Sequence, residues 1–248
     1  SNSKNVKKEN DYSDHFFKLN SLVKKAEKEI SSHIKDIVIM LEPSNLTCID
    51  ISLNKKLDEK IKVKKIFDLV VLELNQIIDF HYSKYKIIHI IIDKCSIDKI
   101  FYDELPLDLK DIDNLKVDFK VICFRKNIIN DLEINFNKNN LNIINTQCAS
   151  YVKTLYYSQT IEIDNISFLE IGHERTTFLI YEKKKLKFIQ TIPIGGFNIT
   201  KDISKIFKTS IEEAEKIKKL FNKPDTKFSY DNIQNSHEIS IREILNKK

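Results

Sequence analysis

Glycine is scarce in this chain: its 248 residues include only 3 glycines, Gly172, Gly195 and Gly196. Glycine permits backbone conformations and close backbone approaches that side chains forbid. Because all three lie in one short region, we infer that the chain has kept glycine where its backbone most needs it.

Metal-ligand and nucleophile patterns are also missing. The four cysteines, Cys48, Cys95, Cys123 and Cys148, have no metal-ligand spacing and each lies beside apolar residues. That pattern indicates buried, reduced thiols of a cytosolic protein. His81, His89 and His173 have no partners at metal spacing, so we predict no metal site. No Ser-His-Asp or Cys-His arrangement can be argued, and no catalytic residue is predicted.

The sequence shows neither a transmembrane segment nor a cluster of charges of one sign. No apolar run is long enough to cross a bilayer, and no signal peptide is visible in this sequence. The net charge is +5, and the lysines are scattered among acids along the chain. This favours a solvated lysine-rich surface over a nucleic-acid patch. Hydrophobic residues at 42% and charged residues at 31% are typical of a globular chain.

The first 160 residues alternate helical and strand patterns. After a polar stretch that we expect to be disordered, apolar residues from Phe16 to Ile30 recur at helical spacing and predict a buried stripe. A strand is expected near Ile34–Leu41, and the Pro43-Ser44-Asn45 turn is a plausible boundary. The next predicted elements are a strand (47–53), an apolar-faced helix (63–80), a strand (85–92), two segments alternating like sheet edges (97–101 and 115–124), a helix (128–136), a short strand (141–144) and a helix from Ala149.

The segment Phe168–Tyr181 reads as a strand, a tight turn and a second strand. A third strand (186–192) leads to Ile192-Pro193-Ile194-Gly195-Gly196, and a helix is predicted over 199–207. Ser210 is expected to cap the following helix, with Glu213 at the capping-box position. That helix carries Glu212-Glu213-Ala214-Glu215-Lys216-Ile217-Lys218.

This order of motifs resembles the actin-like ATPases, and within them the bacterial cell-division protein family FtsA. In that family a glycine-rich Asp-Ile-Gly-Gly-Gly-Thr-Thr-Asp hairpin wraps the nucleotide phosphates. A Pro-x-Gly-Gly turn, Ile-Thr-x-Asp-Ile and Glu-Ala-Glu-x-Ile-Lys follow it. The pilus assembly proteins of the PilM kind share the same order and are the nearest alternative.

The resemblance implies an α/β fold: a partial actin-like (ribonuclease H-like) fold with an inserted α+β subdomain 1C of the SHS2 kind. We expect the insert to have its own small core, contributed by Val70, Val71, Leu74, Ile90, Ile92 and Val121. The implied organisation is a disordered tail (1–11), a helix and strand of subdomain 1A (12–41), the 1C insert (42–124), a return to 1A (125–160), subdomain 2A with the phosphate-type hairpin (161–221) and the start of 2B (222–248).

The resemblance also implies a nucleotide site with much of its chemistry lost. Glu170 replaces the first aspartate, Thr177 replaces the last, and His173 and Glu174 stand where two glycines would approach phosphate. Glu215 and Lys218 match positions that contact ribose and adenine; without the resemblance they read as an ordinary ion pair one helical turn apart. The candidate cofactor-binding residues are Glu170, Gly172, Arg175, Thr176, Thr177, Gly195, Gly196, Glu215 and Lys218.

The function implied is that of an FtsA-like scaffold in the cytoplasm, at the inner face of the cell membrane at the division site. FtsZ and other division proteins are the implied partners, with self-association through 1C. We expect weak or absent ATPase activity and predict no cofactor for this chain, with ATP expected only in a complete protein. A PilM-like adaptor and a competent ATPase remain open. The family's first phosphate loop, the rest of 2B and its membrane-binding terminal helix are not in the sequence.

Overall fold

The computed structural model describes residues 13–42, 46–56, 63–109 and 112–220, without the side chains of residues 13–18 and 20. The predicted tail (1–11) and the predicted start of 2B (222–248) lie outside these ranges. The described helices are α1 (Ser13–Ile30), α2 (Val63–His81), α3 (Lys126–Asn137), α4 (Ala149–Thr160), α5 (Gly196–Phe207) and α6 (Ile211–Leu220). The described strands are β1 (Asp36–Leu41), β2 (Thr47–Lys56), β3 (Tyr85–Ile97), β4 (Ile100–Tyr102), β5 (Asn114–Arg125), β6 (Asn142–Cys148), β7 (Asn165–Ile171), β8 (Thr176–Glu182) and β9 (Lys185–Ile192).

These strands form three sheets. A four-stranded sheet has the order β2-β5-β3-β4, and its three strand pairs are antiparallel. β1 and β6 form a parallel pair, and β7, β8 and β9 form the third sheet in sequence order. The α/β fold class predicted from the sequence is confirmed.

α2 covers one face of the four-stranded sheet. Ile66, Val70, Leu74 and Ile78 recur every four residues, so they form one stripe, and all four are buried. Of the predicted core residues, Val70, Leu74 and Val121 are buried, Ile90 and Ile92 are partly buried against the same cluster, and Val71 is of intermediate exposure. All buried residues of this cluster lie between Ile49 and Cys123.

β5 lies inside the sheet, so the prediction that 115–124 forms a sheet edge is wrong. Two of its polar residues pair across the sheet: Lys120 is ion-paired with Asp50, and Ser52 donates to Asp118. Alternation along β5 instead separates two cores, because Val121 packs with the α2 cluster and Ile122 with a second cluster.

Two further sequence interpretations fail. Residues 97–101 are not one strand, because Asp98 and Lys99 adopt left-handed backbone angles and turn the chain between β3 and β4. The stripe predicted for α1 is not buried: Leu22 is 63% exposed and Ile30 58%. Helical periodicity reveals an apolar face, but burial also needs a packing partner, which local spacing does not specify.

His89 of β3 joins the four-stranded sheet to the end of β6. Its Nε2 accepts a hydrogen bond from the backbone N–H of Cys148 at 3.0 Å, and its ring packs edge-on against Tyr151 with 4.8 Å between centroids. Burial lowers the pKa of His89 below its usual 6.5. The neutral imidazole is therefore the form that this contact requires.

The described residues fall into two compact units. One lies within Ser1–Phe168 and Phe178–Thr191, and the other within Leu169–Thr177 and Ile192–Lys248. Both hydrophobic clusters described above belong to the first unit. None of the four cysteines forms a disulfide: Cys95, Cys123 and Cys148 are buried and Cys48 partly so, which confirms the prediction of buried reduced thiols.

Candidate functional site

The predicted phosphate-type hairpin has a tip of two residues, His173 and Glu174. The backbone N–H of Gly172 donates to the carbonyl of Arg175 at 2.8 Å, which closes the turn between β7 and β8. A Cβ on Gly172 would lie 3.2 Å from that same carbonyl oxygen. No glycine has a positive φ, so glycine serves here for close approach rather than for left-handed backbone.

The carbonyls of the hairpin tip bind the first turn of α5. Gly196 N–H donates to Gly172 O at 2.9 Å, and Phe197 N–H donates to His173 O at 2.6 Å. The first N–H groups of a helix have no partner within the helix and commonly bind anions. Two of those donors are already used in α5 by the backbone of the hairpin.

Gly195 is the residue that this contact requires. A Cβ at Gly195 would stand 2.6 Å from Arg175 N, Gly172 O and His173 O, all of them backbone atoms. At Gly196 a Cβ would meet only Lys218 Nζ at 3.6 Å and Gly172 O at 3.7 Å, which are ordinary contacts. The two adjacent glycines therefore have different roles, and only the first is needed for space.

Two side chains fasten the junction further. The Asn198 side-chain oxygen accepts from Gly195 N–H at 3.0 Å, while Asn198 N–H donates to Gly195 O at 3.0 Å. This reciprocal pair caps the start of α5. Thr176 Oγ1 donates to Ile194 O at 2.7 Å and ties the first residue of β8 to the segment before the helix.

A polar cluster joins α5 to α6. Lys218 Nζ donates to Gly196 O at 3.1 Å and to Thr200 Oγ1 at 2.9 Å, and it is ion-paired with Glu215 at 2.6 Å. Thr200, which is fully buried, donates to Glu215 Oε2 at 2.6 Å. An ammonium group has three N–H donors, and all three of Lys218 have partners inside this cluster.

The cluster holds Glu215 in its charged form. Hydrogen bonds from Lys218 and then Thr200, helped by the charges of Lys218 and Lys219, lower the pKa of Glu215 from 4.5 to about 2. Ser210 and Glu213 form the predicted capping box at the start of α6: Glu213 N–H donates to Ser210 Oγ and Ser210 N–H to Glu213 Oε2, both at 3.2 Å.

Side chains of the hairpin and of α5 pack beside these backbone hydrogen bonds. The ring of His173 packs on Phe197 with 4.9 Å between centroids, and Lys201 Nζ lies 4.5 Å from the same Phe197 centroid. Glu174 is exposed at the tip. Oε2 of Glu170 and Nη1 of Arg175 are shielded from solvent.

All nine sequence-predicted site residues lie in the second unit. Gly172, Thr176, Gly195 and Gly196 meet at the turn–helix junction, and Lys218 joins Glu215 to that junction through Gly196 O. Thr177 is buried in β8. Within the described ranges no group of three or more His, Cys, Asp and Glu side chains could hold a metal.

Thr200, Asn198 and Phe197 were not among the predicted site residues. Thr200 lies one helical turn after Gly196, so its hydroxyl faces the same side of α5 as the Gly196 carbonyl. A threonine one helical turn after Gly196 was the available signal. The hydrogen bonds between the hairpin carbonyls and the N–H groups of α5 could not be predicted from the sequence. Every residue has a backbone carbonyl, so the residue types do not indicate which carbonyls make these bonds.

The region that contains this arrangement is similar in sequence to a known family. The family model of Cell division protein FtsA matches residues 168–245, which begin at the hairpin and include α5 and α6. Over these residues the chain is FtsA-like. Cell division protein FtsA of Bacillus subtilis (strain 168) is 44% identical over 54 residues, which are 22% of this chain and 12% of that protein. FtsA of Agrobacterium fabrum (strain C58 / ATCC 33970) is 25% identical over 107 residues, 43% of this chain and 24% of that protein.

A solved structure supports the fold over more of the chain. The PilM-PilN type IV pilus biogenesis complex superposes with a TM-score of 0.55 at 14% identity, covering 82% of this chain and 56% of that one. At this identity the likeness shows the fold alone. The FtsA-like chain thus spans only a quarter or less of the curated relatives' length in the matches above. Among the described helices, none is long and apolar enough to cross a membrane.

Proposed function

We propose that this FtsA-like chain is part of a cell-division scaffold that links the FtsZ ring to the membrane and recruits other division proteins. The observation that carries the proposal is the FtsA family match over residues 168–245. It includes the hairpin, the Gly195-Gly196 turn and the Glu215–Lys218 pair that the sequence places in FtsA order. The proposed location is the inner face of the cell membrane at the division site.

We infer further that the nucleotide site is degenerate. Phosphate oxygens bind where backbone N–H groups point into open space. Here the N–H groups of Gly196 and Phe197 donate to hairpin carbonyls, and Lys218 uses its three donors within the α5–α6 cluster. Glu174 adds negative charge at the tip. These three donors at the start of α5 are therefore already used and are not offered to a phosphate group.

Residues 42–124 are proposed as the 1C insert, between subdomain 1A segments at 12–41 and 125–160, with 161–221 as 2A. The support is the separate sheet β2-β5-β3-β4, whose α2-side core is drawn from Ile49 to Cys123. Self-association through this insert is part of the same proposal.

The second candidate is a PilM-like adaptor of pilus or secretion assembly. The observation that favours it is the share of the chain that superposes, since the PilM-PilN complex covers 82% of it. Its sequence identity of 14% makes this an argument about fold, whereas the FtsA matches are matches of sequence. We therefore place it second.

Two binding assays separate these functions. The full protein is sedimented with assembled FtsZ polymers from the same organism, and in parallel passed over an immobilised N-terminal peptide of a PilN-type protein. The FtsA-type function predicts saturable pelleting with FtsZ and no retention on the peptide. Retention on the peptide without pelleting would reverse the order of the two proposals. Failure in both assays would reject both.

A further inference from the structure

α2 carries apolar side chains on a flank that does not face the core. Leu69 and Leu72 are each 55% exposed and Phe80 is 81% exposed. Lys65, Leu69, Leu72, Gln76 and Phe80 follow one another at intervals of three or four residues, so they share one flank of the helix. Exposed leucines beside a rim of polar residues mark an interaction surface more often than scattered single ones do.

Beside this flank lies the edge of a sheet. β2 is the terminal strand of the order β2-β5-β3-β4 and pairs with β5 over ten residues, from Thr47 to Lys56. No strand of the described chain pairs with its other edge. A long unpaired edge presents backbone N–H and C=O groups that can accept a further strand.

A groove of about 470 Å³ lies between the two. It is lined by Lys55, Lys56, Ile66, Leu69, Leu72, Glu73 and Gln76. Ile66 is buried and Lys55 is ion-paired with Glu73 across the groove. Lys56 and Lys65 are exposed, and neither makes an ion pair with a residue that the structure describes. The α2–β2 groove thus combines apolar side chains of α2 with two lysines at the end of β2, and Lys65 lies outside its lining on the same flank of α2.

We propose that the α2–β2 groove binds an extended acidic segment of another protein, which adds to β2 as a further strand. Strand addition provides affinity through main-chain hydrogen bonds, and side-chain pockets beside the edge provide specificity. Alternate residues of the added strand point toward α2. Two leucine-sized side chains there would contact Leu69 and Leu72, and carboxylates would lie near Lys56 and Lys65.

The shape and charge of the groove select this occupant over a second copy of the chain. A two-fold contact places the same patch on both subunits. Two concave grooves facing each other leave a void, so a protruding segment is needed to fill the space. The exposed lysines Lys56 and Lys65 favour carboxylates in that segment. This surface lies in the first unit, remote in sequence from the FtsA-matched residues, and the inference does not rest on the proposed function.

Fluorescence anisotropy with designed peptides tests the proposal. The probe is a fluorescein-labelled decapeptide, Glu-Asp-Leu-Thr-Leu-Thr-Val-Thr-Ser-Gly, titrated with the full chain. Matched controls replace Glu-Asp with Lys-Lys, or the first Thr with Pro, which removes one backbone N–H donor. We expect a dissociation constant on the order of tens of micromolar for the probe. Each control should bind at least about tenfold more weakly.

Protein variants localise the binding. Leu69→Lys with Leu72→Lys should weaken probe binding about tenfold or more. The control variant is Ile100→Lys with Phe101→Lys, which adds the same charge at exposed apolar residues of β4. It should leave probe binding unchanged. On adding the probe, hydrogen exchange should slow in β2 and not in β4.

Three results would overturn the proposal. They are no binding at millimolar protein, equal binding of the Lys-Lys or Pro peptide, and unchanged binding by the Leu69→Lys, Leu72→Lys variant when circular dichroism shows it folded. Concentration-dependent dimers that this variant abolishes would also overturn it, because the groove would then bind a second copy.

Discussion

The backbone N–H of Gly196 donates to the carbonyl oxygen of Gly172 at 2.9 Å, so the first residue of α5 is bound to the last residue before the hairpin tip. Phe197 makes the next bond of the same kind, to His173 O. A turn that resembles a phosphate loop in sequence is therefore hydrogen-bonded to the helix α5 that follows it. This contact supports the interpretation of the region as a structural junction within an FtsA-like unit.

The two adjacent glycines should respond oppositely to alanine. Gly195→Ala places a Cβ 2.6 Å from three backbone atoms and should destabilise the junction by about 1–3 kcal/mol. Gly196→Ala meets only ordinary contacts and should be neutral or stabilising by up to about 1 kcal/mol, because alanine favours a helix over glycine. Hydrogen exchange of α5 amides measures both. Equal protection in the two variants would contradict the packing described.

The charged state of Glu215 should depend on Lys218 more than on Lys219. Lys218 is ion-paired with Glu215 at 2.6 Å, whereas Lys219 lies 3.7 Å away and is exposed. Lys218→Met should raise the pKa of Glu215 from about 2 toward 4.5, and Lys219→Met should raise it much less. Carboxyl ¹³C NMR titration is the measurement.

The low pKa of Glu215 should make the stability of the fold depend on pH in the acid range. The folded pKa of Glu215 lies below its unfolded value, so its stabilising effect is fully present above pH 4.5 and is lost as pH falls toward 2. In Lys218→Met the acid-dependent loss over this window should be smaller than in the unaltered chain. An identical loss in both would show that the ion pair does not stabilise the fold.

His89 should make the first unit sensitive to mild acid. Its folded pKa lies below 6.5, so the unfolded chain binds the proton first, and the free energy of unfolding falls as pH drops below about 6.5. His89→Gln keeps a side-chain acceptor for Cys148 N–H but does not titrate, so this loss should shrink. His81→Gln, at the exposed end of α2, is the control. Urea unfolding at pH 7 and pH 5 compares them.

Sequence patterns predicted the parts of the fold that local chemistry determines. The stripe of α2, the capping box of Ser210 and Glu213 and the 168–181 hairpin all follow from spacing within one element. The exposed face of α1 and the central position of β5 depend on which element packs or pairs with them, and periodicity does not identify that partner.

The candidate site was predicted in its residues more than in its contacts. The sequence predicts Gly195 and Gly196 as site residues in a Pro-x-Gly-Gly turn, and Glu215 and Lys218 as a pair one turn apart. What the sequence could not show is that Lys218 binds Gly196 O and Thr200, since both bonds cross from α6 to α5. The sequence likewise could not show that the first N–H groups of α5 donate to carbonyls of the hairpin.

Isothermal titration calorimetry with Mg-ATP tests the central claim most directly, that this hairpin–helix junction is closed to phosphate. The account predicts no saturable heat at submillimolar ATP, because Gly196 N–H, Phe197 N–H and Lys218 Nζ already have partners. Micromolar binding that Glu215→Ala and Lys218→Ala each abolish would contradict it and would restore the interpretation as a competent actin-like ATPase.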